Sequence, residues 1–181
     1  MKRILFLVLF FAYSYMSYAQ IPIENYIGTW KCEKGDTVFT VKLVKGKMIY
    51  KGKLWGTNLF GGYSVAVQGR IIDNYMNDIN TQWIVNDASQ GAPHRIYISA
   101  GYDPYNSKIL SFVFFDQRKK HFNGKGIVGG AIELIGSNKL HWTLNEKEGI
   151  WWETEGNEDG VEVKPIGFSV PTDVILTKVE K

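Results

Sequence analysis

Cysteine is nearly missing. Cys32 is the single thiol in 181 residues, so no disulfide within the chain can hold the fold and packing must do it. An odd thiol in an exported chain either pairs between molecules or lies buried as a small apolar side chain, and burial is the reading for Cys32 on its apparent strand. Histidine is scarce as well: His94, His121 and His141 stand far apart. With no Cys-x-x-Cys pair and no His-Glu-x-x-His, spacing assigns no metal site. There is no Gly-x-Ser-x-Gly elbow, and Gly124-Lys125-Gly126 lacks the helix that a phosphate loop must open. The sequence therefore offers no catalytic residue and no cofactor fingerprint, and its reading favours a protein that is not an enzyme. Nor is there a long apolar span. The apolar stretch near the start, even counted to Tyr18, is broken by Ser14 and Ser17 and falls short of the roughly 20 residues a membrane helix needs. No repeat, linker or second domain boundary stands out.

What that early stretch does have is the layout of a secretory signal: Lys2-Arg3, an apolar run over residues 4–12, and Ser17-Tyr18-Ala19 before Gln20. Cleavage is expected near Ala19, giving a periplasmic or extracellular protein. No cysteine occupies the cut site, so no lipid anchor and no membrane attachment is expected. Residues 20–181 are then one domain of 162 residues, long enough to bury its own core. Losing Lys2 and Arg3 takes the formal charge from +3 to +1, so no affinity for nucleic acid is implied.

Apolar residues recur at every second position and turn residues interrupt them at short intervals, which predicts strands throughout. The runs are 28–33, 36–45, 47–55, 63–72, 79–85, 95–100, 108–116, 126–135, 139–145, 149–155 and 174–179. Gly46 is read as the turn of a first hairpin, with Met48, Tyr50 and Leu54 facing in and Lys47, Lys51 and Lys53 facing out. Gly61-Gly62 is read as another turn. Residues 109–115 are apolar on both faces and predict the most buried strand. About ten short strands in sequence order predict an all-β, antiparallel, up-and-down barrel without a substantial helix. Residues 86–93 and 156–167 are the loosest stretches.

Charge is uneven. Between residues 146 and 162 lie seven acids against Lys147 alone, the mark of a solvated face. Calcium at residues 157–162 matches no known loop spacing. The first hairpin is lysine-rich, which guards exposed strand edges or steers a charged partner. Aromatic residues are plentiful, among them Trp55, Trp83, Trp142, Trp151 and Trp152. On a strand the last two point to opposite faces.

Tyr26-Ile27-Gly28-Thr29-Trp30, at the head of the first strand, resembles the Gly-x-Trp opening of lipocalins, fatty-acid-binding proteins and avidins. The resemblance implies a closed calycin-type barrel in which Gly28 and Trp30 form a structural plug at one end. The run from Gly28 through Lys178 is also similar to a family of small exported bacterial proteins of unknown function, which brings no activity with it. Two departures stand against a closer match: no helical periodicity follows Val170, and Ile79-Asn80-Thr81-Gln82-Trp83, though similar to a late avidin strand, falls in the first half.

Two functions fit. One is a binding barrel that holds a small apolar or aromatic ligand in a cavity lined by Tyr50, Leu54, Phe112, Phe114, Trp142 and Trp152. The other is a filled barrel whose outer face meets a protein or glycan partner.

Overall fold

The computed structural model describes the backbone of residues 21–85, 94–106, 108–155 and 164–179, and the side chains of these except 151–155. The expected signal segment, the 86–93 loop and the 157–162 acids lie outside the described residues. The strands are β1 (Gly28–Lys34), β2 (Thr37–Tyr50), β3 (Lys53–Val67), β4 (Arg70–Asn74), β5 (Gln82–Val85), β6 (Ile98–Tyr102), β7 (Ile109–Phe114), β8 (Ile127–Ile135), β9 (Lys139–Leu144) and β10 (Asp173–Lys178). A helix, α1 (Glu146–Glu155), separates the last two.

Eight strands close a barrel in the order β1-β2-β3-β6-β7-β8-β9-β10, every neighbouring pair antiparallel. The seam is short: Trp30 opposes Lys178 and Lys31 opposes Thr177, and Val179 N–H donates to the Thr29 carbonyl at 2.8 Å. β4 and β5 are additions. β4 pairs with the far end of β3, and β5 runs parallel to β2 from Lys47 to Tyr50.

Alternation supplies the core as expected. Phe39, Val41 and Leu43 of β2 face in, as do Leu110, Phe112 and Phe114 of β7. β7 is not fully buried on both faces; its alternate residues Ile109, Ser111 and Val113 are half-buried. Trp142 sits at the centre of an aromatic stack, 4.4 Å from Phe112, 5.5 Å from Phe39 and 5.8 Å from Phe114 between ring centroids. Its Nε1 donates to the Pro171 carbonyl at 3.0 Å, which satisfies the buried indole. Cys32 is half-buried and packs against this core.

Three local expectations are corrected. Gly46 does not turn the chain. β2 runs through it, with Gly46 opposite Asn58 in the ladder, and the position is glycine because the Phe60 ring lies where a side chain would be, 2.1 Å from a built Cβ. The turn comes at Lys51 and Gly52, both with positive φ (48° and 75°), the pair of left-handed residues a tight hairpin requires. Gly61 and Gly62 likewise lie inside β3, not in a turn. The chain after β4 crosses over Gly62, where a Cβ would fall 1.8 Å from the Tyr75 carbonyl oxygen. The run 63–72 is split instead at Gln68 and Gly69, both with positive φ (50° and 73°), β3 ending at Val67 and β4 starting at Arg70.

The third correction is 149–155, expected as a strand and found as most of α1. Asn145 starts this helix: its Oδ1 accepts from Lys147 N–H at 3.2 Å and its Nδ2 donates to Glu148 Oε1 at 2.9 Å. This is the cap and third-residue acid of a capped N-terminus. Gly149 lets the helix sit on β8, since a Cβ there would meet Ile127 Cγ1 at 2.1 Å. The opposite-face argument for Trp151 and Trp152 therefore falls, because on a helix neighbours are about 100° apart.

Candidate functional site

The barrel is closed at the β1 end by its own residues. Trp30 is fully buried and its Nε1 donates to the Tyr26 carbonyl at 2.8 Å. Tyr26 belongs to a one-turn 3-10 helix, Ile23–Tyr26, whose phenol donates to the Lys108 carbonyl at 3.1 Å across the barrel mouth. Lys178 covers the indole, with Nζ 5.0 Å from the ring centroid, a cation held on an aromatic face. Gly28 leaves room for that lysine stem, since a Cβ would stand 3.0 Å from Lys178 Cε.

The other end is closed by the 116–122 turn and the 164–171 segment. Asp116, buried, ties the two together. It accepts from Arg118 and Lys119 N–H, both at 3.0 Å, and from Ser169 N–H and Oγ, both at 2.7 Å. Glu146 does the same for α1. It accepts from Ile166 and Gly167 N–H at 2.8 and 2.9 Å and lies 3.2 Å from His121 Nε2. Glu146 was expected on a solvated acidic face; its side chain is only 12% exposed. His121 Nδ1 is buried and without a hydrogen-bond partner. His94 is exposed, and His141 faces Asp173 at 2.7 Å. Among the described residues no three His, Cys, Asp or Glu side chains group as a metal site.

The residues named for a cavity do not form one lining: three pack together in the core and two lie outside it. Phe112, Phe114 and Trp142 are at most 2% exposed and fill the barrel among Leu59, Tyr63, Ile98 and Ile132. Tyr50 and Leu54 are not at the interior. They lie at the tip of the β2–β3 hairpin, 38% and 63% exposed, so the inward face assigned to residues 47–55 is corrected. Beyond Leu43, where pairing with β1 ends, and Leu59, where pairing with β6 ends, this hairpin outgrows the barrel, and past that lip a strand face has no inside to turn toward. The side chain of Trp152 lies outside the described residues.

The outgrown part is a small three-stranded wing, β3-β2-β5. Leu54 and Ile84 flank Ile49 in register. The Tyr50 ring leans on Trp55 at 5.9 Å and 49°, and Lys51 Nζ stands 5.2 Å from the Tyr50 ring. Trp55, at the register shift after Met48, is 70% exposed. β6 joins β3 only from Leu59 onward. Among the described residues, β3 from 53 to 58 has no ladder partner on its outer edge. Lys45 pairs with Glu24 at 2.5 Å, whereas Lys47, Lys51 and Lys53 enter no ion pair among the described residues. Across residues 37–72 there are five lysines and Arg70, and no acid. Sequence reading marked the lysines; the open edge followed from strand lengths that only the register reveals.

Residues 1–179 match the profile described as a family of unknown function (DUF6705), and the chain belongs to that family. No curated protein and no solved structure matches it.

Proposed function

We propose that this member of the family is an exported, non-enzymatic interaction protein that docks an acidic protein partner along the open edge of its β2–β3 wing. The observation that carries the proposal is the edge itself. Among the described residues nothing pairs with one side of the strand over 53–58, while Leu54 and Trp55 stand 63% and 70% exposed. Exposed strand edges are normally blunted by lysine, proline or short length. Here Lys53 fits that role, but a neighbouring Leu-Trp pair defeats it. Strand addition by a partner would satisfy the edge and cover the apolar residues together. The acid-free hairpin favours a partner of negative charge, and such complementarity acts on approach and orientation.

A protein is favoured over a glycan because Tyr50 and Trp55 are tilted by 49° to one another, where a sugar face would call for one flat platform. The filled interior favours this reading over a ligand held inside the barrel. Export is supported by the layout of residues 2–20. The calycin-type opening is supported by Trp30 and Gly28 at the closed end, under Lys178.

The test is a photo-reactive amino acid placed at Trp55 and, as a control, at exposed Ile175 on β10, in cells producing the full chain. Adducts at position 55 that are missing at 175, and that vanish when Leu54→Glu is added, are expected. Equal adducts at both positions, or none at 55, would overturn the proposal. A melting curve shows that the variants are folded.

A further inference from the structure

Asn123-Gly124 is the one Asn-Gly step in the sequence. Glycine after asparagine leaves the next amide nitrogen unshielded by a side chain, so the pair is chemically able to react with itself. It stands between β7 and β8, in the connection that closes the barrel end opposite Trp30, and Asn123 is exposed.

Conformation holds that reaction back. Lys120, Phe122 and Asn123 all have positive φ (51°, 51° and 58°), a left-handed backbone that asparagine tolerates better than most side chains. At Asn123 ψ is 34°, which turns the Gly124 nitrogen to the far side of Cα from the asparagine side chain. Ring closure needs the two on the same side. The Gly124 N–H is also engaged, donating to the Lys120 carbonyl at 3.1 Å. The connection keeps this shape through its ties. Asp116 accepts from Arg118 and Lys119 N–H at 3.0 Å and from Ser169 N–H at 2.7 Å, and His121 Nε2 lies 3.2 Å from Glu146 Oε1. Asn123 Cγ meets the Gly124 nitrogen only when those ties let go.

We propose that Asn123 is a self-modification site gated by the opening of this end of the barrel. In the opened connection the Gly124 nitrogen attacks Asn123 Cγ. A Cγ–N bond forms, the Cγ–Nδ2 bond breaks, and Nδ2 leaves as ammonia with the proton that the Gly124 nitrogen gives up. Water then opens the cyclic imide at either carbonyl, giving aspartate or isoaspartate with no change in oxidation state. Isoaspartate lengthens the backbone by its Cβ inside a left-handed stretch. Either product sets a new carboxylate on recesses that Asp116 and Glu146 also border, where like charges oppose closure. Local opening, otherwise reversible, is thereby made permanent. The site is independent of the wing edge, so either proposal can fail alone.

The test is peptide mass mapping of the full-length protein after incubation in mildly alkaline buffer, folded and unfolded in urea. Conversion at position 123 is expected in the unfolded chain and should be about tenfold slower or more in the folded protein, since the rate follows the population of the opened state. It should climb with urea below the unfolding midpoint. Folded Glu146→Ala should convert faster than the parent. Aged parent should melt below fresh parent, whereas Asn123→Gly, which keeps the left-handed backbone without strain, should not change on ageing. Equal rates in the folded and unfolded chains, or no conversion in urea, would overturn the proposal. So would a parent-like rate in Glu146→Ala shown to be folded by its melting curve. If that variant does not fold, the urea series decides, and a flat rate below the midpoint overturns the gating.

Discussion

Glu146 Oε1 lies 3.2 Å from His121 Nε2 and, in the same position, accepts the N–H of Ile166 at 2.8 Å. One carboxylate thus joins the turn after β7, the start of α1 and the segment that leads into β10, three pieces far apart in sequence. With Asp116 it forms the lid on the end of the barrel opposite Trp30.

Glu146→Ala should therefore destabilise the protein more than an ordinary surface acid does. It leaves His121 Nε2 and the N–H groups of Ile166 and Gly167 without their acceptor, and a loss of about 2–4 kcal/mol is expected from charged hydrogen bonds broken at a mostly buried site. Urea denaturation would measure it. Glu148→Ala, which removes one exposed contact to Asn145, should cost about 1 kcal/mol or less; an equal loss in both variants would contradict the lid role of Glu146.

Glycines of the hairpin should divide sharply. Gly62→Ala forces a Cβ into the Tyr75 backbone, which cannot move aside without lifting the crossing chain, so little folded protein is expected. Gly56, on the wing, has open space around it and no positive φ. Gly56→Ala should leave the melting temperature within a few degrees of the parent. Soluble yield and melting curves of the two variants check this.

The aromatic stack around Trp142 should behave as one packing unit. Trp142→Ala removes contacts to Phe39, Phe112 and Phe114 and the bond to Pro171, and a cost of about 3–5 kcal/mol is expected for emptying such a site. Near-ultraviolet circular dichroism should lose intensity in the same variant, because the rings report on one another's packing.

Tyr63 makes the protein sensitive to alkali. Burial raises its phenol well above the ordinary value of 10.0, although its oxygen accepts the Gln117 N–H at 3.0 Å. The folded state therefore keeps a proton that the unfolded chain would release. That contribution to stability is fully present below about pH 10 and is lost as pH rises toward the folded-state value. Tyr63→Phe should flatten the fall in melting temperature above pH 10, and unchanged alkaline behaviour would count against the buried phenol as its source.

Much of the fold was legible in the chain. Alternation at every second residue is local, and it marked nearly every barrel strand, the inward set of β2 and β7, and the all-β class. The scarcity of cysteine also determined, by itself, that packing must hold the barrel together. The start of α1 was legible too, in Asn145 and Glu148, but the strand-like run from Gly149 masked it.

Turns and faces were another matter. Glycine reads as a turn in sequence because it permits any backbone, yet Gly46, Gly61 and Gly62 are glycine because a ring or a crossing chain occupies the space of their side chains. Nothing local separates the two reasons. The same holds for Tyr50 and Leu54: alternation gives a strand two faces but does not say where the barrel ends. Only the register between β2, β3 and β6 fixes that lip, and beyond it the face that would be core becomes open surface. The bond between Glu146 and His121 arises from closing the sheet on itself, which brings together residues that no sequence window contains.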